Sequence, residues 1–203
     1  MKTQRFLIYV AMACLSAMLF SGCKGKTKPG NTESTESINS TVLSQEQMVQ
    51  RGSYLVTTGG CGDCHSPKQM GPKGPEEIQA LMLSGHPSEA PLPKIDKSEL
   101  QKGWILVTAD LTTAVGPWGV SFSANITSDT TGIGTWPEEN FVRALKQGKY
   151  KGVEGGRMLL PPMPWQSLAK LTEEDTKAIY AYLKSIKPVR NIVPAAIAPE
   201  DIK

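Results

Sequence analysis

Apolar residues recur with helical spacing in four stretches of the chain, at residues 44–58, 75–84, 137–147 and 172–187. Serine, threonine or proline stands at the start of several stretches, and glycine or proline follows others, as is typical of helix boundaries. Gly52 lies in the first stretch and would let that helix closely approach the aromatic residues of the last one. The pattern therefore predicts an all-α domain.

A shorter pattern interrupts the helical ones in the middle of the chain. Two short runs, Ile-Leu-Val-Thr-Ala at 105–109 and Gly-Val-Ser-Phe-Ser at 119–123, are connected through the sequence Gly-Pro-Trp-Gly at 116–119. Turn residues between such runs are typical of a β-hairpin. We therefore expect a small hairpin within the otherwise helical chain.

The N-terminal segment has the pattern of an export signal. Lys2 and Arg5 precede an apolar run at 6–20, which is shorter than the roughly 20 residues that a membrane span needs. Small residues directly before Cys23 resemble the lipobox of bacterial lipoproteins, which implies cleavage before Cys23 and acylation of it. The alternative is an ordinary cleaved signal in which Cys23 is incidental.

The chain divides into three predicted parts. Residues 1–22 form the signal peptide, 23–43 a lipidated tether, and 44–203 the folded domain. The tether is rich in Ser, Thr, Lys, Gly and Asn and has almost no apolar residues, so it cannot form a core. Within the domain, we expect an insertion at about 66–122 and a C-terminal tail at 188–203.

Composition and charge narrow the function. Hydrophobic residues make up 39% of the 203 residues and charged residues 20%, which excludes a wholly disordered or multispanning protein. The net charge is +3, and the excess of basic residues lies in the first 43 residues. Because the rest of the chain is neutral overall, nucleic acid is excluded as the main partner.

The cysteines indicate a cofactor. Of the four, Cys14 lies in the predicted signal and Cys23 at its end, whereas Cys61 and Cys64 form the sequence Cys-Gly-Asp-Cys followed by His65. CxxCH is the attachment sequence of c-type haem. On one helical turn both thiols share a face and can reach one porphyrin, while His65 becomes the proximal iron ligand. The alternative, a zinc site at these two cysteines, would need two further protein ligands.

Methionine is the common sixth ligand of electron-carrying cytochromes. Met163 stands in Leu-Pro-Pro-Met-Pro-Trp, where the prolines stiffen the backbone, so we expect this residue to bind the iron. Simple core packing is the alternative role for Met163. The other candidate ligands are Met158, Met70 and His86, and the loop-like surroundings of His86 predict an exposed side chain instead.

The combined motifs resemble the class I cytochrome c domain, over about residues 44–190. The sequence Ser-Ala-Asn-Ile-Thr at 123–127, Gly-Ile-Gly-Thr-Trp at 132–136 and Pro-Met-Pro-Trp at 162–165 are similar to the cytochrome c domains of haem subunits of periplasmic alcohol, aldehyde and gluconate dehydrogenases. The resemblance implies a cytochrome c-like fold that carries an inserted loop or hairpin and one covalent haem c. Those subunits often have several CxxCH motifs, whereas this chain has one.

Further side chains are candidates for contact with haem. Trp136, Trp165 and Tyr150 would line its pocket or simply pack in the core. Arg157 would pair with a haem propionate or remain solvated. A basic cluster precedes the Met163 segment and would form either a docking face for an acidic partner or a solvated surface: Arg143, Lys146, Lys149, Lys151 and Arg157.

These observations predict a membrane-tethered, single-haem carrier of electrons rather than an enzyme. The expected partners are a redox donor and acceptor, such as a dehydrogenase, a quinol-oxidising complex or a terminal oxidase. The expected location is the cell envelope, on the periplasmic side of the inner or outer membrane of a Gram-negative bacterium. The alternatives are a fixed haem subunit of a dehydrogenase, and a ligand-binding or peroxide-reactive haem protein with a labile sixth ligand. The insertion would cover a haem edge or dock a partner.

Overall fold

A computed structural model describes residues 43–203. The predicted signal peptide, Cys23 and all of the predicted tether except Leu43 lie outside the described residues. No helix within 43–203 is long and apolar enough to cross a membrane. The α-helices are α1 (Gln45–Thr58), α2 (Cys61–His65), α3 (Lys97–Gln101), α4 (Glu138–Gln147), α5 (Trp165–Leu168) and α6 (Glu173–Ser185).

Two small antiparallel sheets accompany these helices, so the prediction of an all-α domain was incomplete. The strands are β1 (Lys68–Gly71), β2 (Gly74–Glu77), β3 (Leu106–Val107), β4 (Thr113–Gly116) and β5 (Gly119–Phe122). One sheet pairs β1 with β2, and the other has the order β3-β4-β5. Both sheets lie in the predicted insertion, where short strands joined by tight turns satisfy the backbone hydrogen bonds.

The insertion differs from the prediction in two details. The helix predicted at 75–84 is wrong: this segment starts in β2 and continues as a 3₁₀ turn at Gln79–Leu81, because pairing with β1 supplies its first backbone partners. The predicted hairpin turn at 116–119 is confirmed, but β5 pairs with β4 and not with the run at 105–109. That run contributes β3 on the other side of β4.

The first and last helices cross closely at Gly52, as the sequence predicted. A Cβ added to Gly52 would overlap the carbonyl of Ala178 and lie 2.7 Å from the Cβ of Tyr182. The guanidinium of Arg51 donates at 2.8 Å to Asp175, which joins the same two helices. The predicted helix starts are also confirmed, since hydroxyl groups of Ser44 and Thr172 cap α1 and α6.

Two apolar clusters form the interior of the described chain. The helical core contains buried residues from α1, α4, α6 and the loops between them: Val56, Leu83, Ile133, Phe141, Leu145, Ile179 and Leu183. The sheet cluster is smaller and contains Val115, Val120 and Ile202. The predicted tail takes part in it, because Ile197 pairs with Val120 as an isolated bridge and Ile202 is buried.

Candidate haem site

The haem turn, α2, presents both cysteines on a single helical turn that follows α1 directly. Gly60 starts the turn in the left-handed region, with φ of 64°, a conformation that glycine adopts without strain. Cys61 and Cys64 are half-buried free thiols. Burial raises the pKa of both thiols, so they are neutral at neutral pH and do not form a reactive thiolate pair.

One ring nitrogen of His65, the last residue of the haem turn, already makes a hydrogen bond within the protein. Its Nδ1 donates a hydrogen bond to the carbonyl of Ala124 at 2.7 Å. Burial lowers the pKa of His65, although the Ala124 carbonyl opposes the shift, and the imidazole is therefore neutral. A neutral imidazole held at Nδ1 presents Nε2 as a metal ligand, which is how histidines that bind metals are usually oriented.

Lys68 holds the haem turn from its C-terminal end, a role that sequence reasoning missed. Its ammonium donates to the carbonyls of Asp63 at 2.6 Å and Ser66 at 3.0 Å, and more weakly to Gly62 at 3.3 Å. It also reaches the carbonyl of Asp110 in the insertion at 3.2 Å. A lysine just after a short helix is a known signal for such capping and would have pointed to this contact.

Met163 and Cys61 lie against the same apolar cluster. Both are partly buried side chains packed on the helical core. The alternative methionines are less well placed, since Met70 is 74% exposed and Met158 is 40% exposed. The structure therefore brings Met163, rather than Met70 or Met158, to the apolar region that contains the first haem cysteine.

The segment carrying Met163, which we call the methionine strap (residues 160–164), is tied to the inserted sheet. The Ser121 hydroxyl, on β5, donates to the carbonyl of Pro161 at 2.6 Å and accepts from the indole of Trp118 at 3.2 Å. Ala124, which accepts from His65, follows only three residues later. The segment 121–124 thus contacts both chain segments that carry predicted iron ligands, a role that no local sequence signal indicated.

The two candidate tryptophans have different surroundings. Trp136 is partly buried against the helical core, and its carbonyl accepts a hydrogen bond from the Tyr180 hydroxyl at 2.8 Å. Trp165 packs over Gly148, where an added Cβ would meet the indole ring. Trp136 therefore shares the cluster of Cys61 and Met163, whereas Trp165 supports the loop that follows α4.

Most of the basic cluster binds backbone carbonyls. Arg143 donates to Gly152 at 2.6 Å, Lys146 to Ala169 and Leu171, and Lys149 to Gly156 at 3.2 Å. Arg157 is stacked over the ring of Tyr150, with its Cζ 3.7 Å from the ring centroid, and donates to the Met158 carbonyl. These side chains hold the loops between α4 and the strap together. Their roles in haem contact and docking stay predictions.

His86 is buried, so the prediction of an exposed side chain was wrong. Only 3% of it is accessible, because its ring packs 4.9 Å from Phe122 and its Nδ1 lies 2.9 Å from the hydroxyl oxygens of both Thr112 and Thr113. Burial lowers the pKa of His86, and the Asp110 carboxylate and the Ala90 backbone oppose that shift. These contacts place His86 beside the sheet cluster, and its Nδ1 is occupied by threonine hydroxyls and not by a metal.

The donor set matches a covalently bound haem. Two neutral thiols on one turn suit thioether bonds to the porphyrin, and a neutral imidazole directly follows them. A thioether, Met163, lies on the same apolar cluster as Cys61, and an apolar surrounding suits the porphyrin face. Among residues 43–203, no three His, Cys, Asp or Glu side chains are grouped so that they could hold a metal ion by themselves.

Comparisons with known proteins agree with this chemistry. A model of the cytochrome c family matches residues 49–187. The gluconate 2-dehydrogenase cytochrome c subunit of Pantoea cypripedii is 31% identical over 157 residues, which cover 77% of this chain and 26% of that protein. The cytochrome c subunit of the alcohol dehydrogenase (quinone) of Komagataeibacter europaeus is 41% identical over 144 residues, or 70% of this chain and 23% of that protein.

A third relative extends over more of the chain. The fructose dehydrogenase cytochrome subunit of Gluconobacter japonicus is 27% identical over 181 residues, or 88% of this chain and 28% of that protein. The chain therefore spans about a quarter of the length of each of these three curated relatives. It carries haem c covalently through a CxxCH motif that Cys61 and Cys64 fit. On these grounds, the chain belongs to the cytochrome c family.

Proposed function

We propose that this protein is a membrane-tethered electron carrier whose single haem iron is held by His65 and Met163 and whose partner is a dehydrogenase. One observation carries the proposal: a neutral imidazole oriented through Ala124 and a thioether packed on the helical core belong to segments that the same strand region, 121–124, holds. An imidazole and a thioether are the side chains that would bind the iron in an electron-carrying cytochrome.

Each residue has a distinct role in this proposal. Cys61 and Cys64 hold the porphyrin covalently, and the Ala124 carbonyl keeps His65 in the tautomer that presents Nε2. The helical core would shield the thioether of Met163 from water. When bound, haem supplies reversible one-electron chemistry at its iron. If His65 and Met163 both bound the iron, a substrate would have to displace one of them, which supports a carrier rather than an enzyme.

The partner is inferred from the relatives. Their names describe cytochrome subunits of gluconate, alcohol and fructose dehydrogenases. We therefore infer that this chain accepts electrons from a membrane-associated or periplasmic dehydrogenase and passes them to a respiratory acceptor. The proposed tether, acylated at Cys23, would keep the domain at the membrane surface in the cell envelope, and residues 24–43 would let it move between partners.

An optical comparison of Met163→Ala with Met158→Ala tests the iron ligands. In the wild type we expect a low-spin spectrum with the methionine-to-ferric charge-transfer band. Met163→Ala should lose that band and bind carbon monoxide rapidly, whereas Met158→Ala, which removes a half-exposed methionine in the neighbouring loop, should keep the band. A band that survives Met163→Ala, or a high-spin wild type, would contradict the ligand assignment.

The tether and partner need separate tests. Cys23→Ser should abolish incorporation of labelled fatty acid and move the protein from the membrane to the soluble envelope fraction. Cys14→Ser, within the predicted signal, is the matched control and should leave labelling unchanged.

The partner assignment would be wrong if the haem of the wild-type protein, in membranes from its own cell, stayed oxidised when sugar or alcohol substrates were added.

A further inference from the structure

Lys68, whose ammonium binds the haem turn, carries a charge that no carboxylate of residues 43–203 neutralises. It lies on β1 opposite Glu77 of β2, but within the described part of the chain it forms no ion pair. All four of its hydrogen bonds go to uncharged backbone carbonyls. Carbonyl dipoles stabilise an ammonium without cancelling its charge, so a full positive charge remains at this position.

The ammonium lies beside the Cys64-His65 dipeptide of the CxxCH motif. It donates at 2.6 Å to the carbonyl of Asp63, directly before Cys64, and at 3.0 Å to the carbonyl of Ser66, directly after His65. The Lys68 side chain is half-buried, and a half-buried charge is screened by water and salt less than an exposed one. Its electric field therefore acts on the haem that is attached at this turn.

The haem turn is also held by contacts that do not involve Lys68. The backbone N–H of Gly85 donates to the His65 carbonyl at 2.7 Å, and the backbone N–H of Leu83 donates to the Ser66 hydroxyl at 3.1 Å. Backbone donors of this kind stay in place when a lysine side chain is replaced. Replacing Lys68 should therefore leave the turn where it is and remove mainly the charge.

The ferric state of a haem has one more positive charge than the ferrous state. A fixed positive charge nearby repels the ferric state, raises its free energy and so raises the reduction potential. We propose that the unneutralised charge of Lys68 raises the reduction potential of the haem and so favours its acceptance of electrons. The inference rests on the proposed electron-carrying function and on haem attachment at Cys61 and Cys64, but on no particular sixth ligand.

The ratio of ferric to ferrous haem at a fixed electrode potential, the midpoint of the wild type, tests this role in the full haem-loaded protein. Lys68→Met removes the charge and should raise the ratio at least about threefold. Lys68→Arg keeps the charge and should leave the ratio within about twofold of the wild type.

Lys73→Met is the matched control, because it removes the same charge from the same hairpin. Lys73 is exposed in the turn between β1 and β2, and its side chain forms no hydrogen bond or ion pair among residues 43–203. Water and salt screen such a charge, so this variant should change the ratio by less than about twofold. A shift in Lys73→Met as large as that in Lys68→Met would overturn the proposal.

A second neutral variant separates charge from hydrogen bonding. Lys68→Gln keeps N–H donors for the carbonyls but has no charge, so it should raise the ratio as Lys68→Met does. A wild-type ratio in either neutral variant would overturn the proposal. Loss of haem from both neutral variants but not from Lys68→Arg would also overturn it, because the ammonium would then be needed for structure rather than for the potential.

The methionine-to-ferric band keeps this test apart from the test of the iron ligands. A raised ratio with the band intact would support the role of Lys68, whereas a raised ratio with the band lost would show that the substitution acts through Met163 and would overturn that role. If the wild type itself had no such band, the assignment of Met163 would fail, and the change of ratio on replacing Lys68 would still decide whether its charge acts on the haem.

Discussion

The helical core and the inserted sheet contribute to the haem site through different kinds of contact. In the helical core, side chains from α1, α4 and α6 pack together, and Cys61 and Met163 lie against them. In the segment 121–124, at the end of the inserted sheet and directly after it, single polar contacts act at defined atoms, from Ser121 to Pro161 and from His65 to Ala124. Apolar burial is non-directional, whereas hydrogen bonds depend on angle and distance. The core therefore stabilises the fold, and the segment 121–124 orients the ligand segments.

The largest effect should come from Gly52→Ala, which tests the helical core. The added methyl group would overlap the backbone of Ala178, which cannot move aside as a side chain can, so we expect a loss of more than about 3 kcal/mol in the free energy of unfolding. Thr57→Ala, at an exposed position on α1, is the control and should change it by under about 0.5 kcal/mol. Urea denaturation measures both. A loss below about 1 kcal/mol for Gly52→Ala would contradict the close crossing.

Ile202→Ala should have the next largest effect, this time on the sheet cluster. Ile202 is only 6% exposed, and its loss should cost about 2 kcal/mol, at the low end for a buried isoleucine because the chain end can relax. Ile192→Ala, at a residue that is 63% exposed, makes the same chemical change and should cost little. If the two regions are as separable as the comparison suggests, the haem spectrum of Ile202→Ala will match the wild type. A lost methionine band would show instead that the sheet cluster supports the haem directly.

Ser121→Ala should cost only about 1 kcal/mol in stability but should act on the methionine strap. Without the hydroxyl, the Pro161 carbonyl loses its partner and the strap is freer to release Met163. We therefore expect the methionine band to disappear at a lower alkaline pH than in the wild type. Ser123→Ala, whose side chain has no hydrogen bond among the described residues, is the control. An unchanged alkaline midpoint in Ser121→Ala would mean that the contact does not position the ligand.

Mild acid should produce the smallest effect, a small difference in stability between the helical core and the inserted sheet. The pKa of His86 is lowered by burial, so the unfolded chain, with an ordinary value of about 6.5, takes up the proton first, and stability falls as the pH drops from about 7 to 5. Burial raises the pKa of Asp110, but hydrogen bonds from Thr108 and Thr112 lower it by more. Stability from Asp110 is therefore lost only at still lower pH, below its ordinary value of about 3.9.

Hydrogen exchange measures this effect region by region. Between pH 7 and 5, and after correction for the intrinsic exchange rate, amides of β4 and β5 should lose protection while those of α1 and α6 keep it. In the haem-loaded protein His65 is proposed to bind iron, and the chain has only two histidines, so His86 is the histidine left to titrate. In His86→Gln the difference should vanish; its persistence would assign the acid response to other groups.

Sequence reasoning performed well for helices and poorly for the insertion. The starts of α1 and α6, the end of α4 at Gly148 and the close approach at Gly52 depend on neighbours a few positions away or on the absence of a side chain. The helix predicted at 75–84 failed because its backbone partners come from another strand. Helical periodicity alone cannot report such pairing.

For the candidate site, too, some features were evident from the sequence and others were not. The haem turn and the family were evident from Cys61, Cys64 and His65, whereas the axial role of Met163 and acylation of Cys23 stay predictions. His86 was misjudged because its neighbouring glycine and proline suggested a surface loop. Its burial comes from Thr112, Thr113 and Phe122, which lie on or beside strands β4 and β5.

The sequence by itself determined the attachment chemistry and most helix boundaries, because each depends on residues within about one helical turn of each other. Only the tertiary structure decided which groups hold the proposed ligands. The contact of His65 with Ala124 spans 59 positions, and that of Ser121 with Pro161 spans 40. Such pairs leave no periodic or spacing signal in the chain, since they arise only when packing brings distant backbone carbonyls within hydrogen-bonding distance.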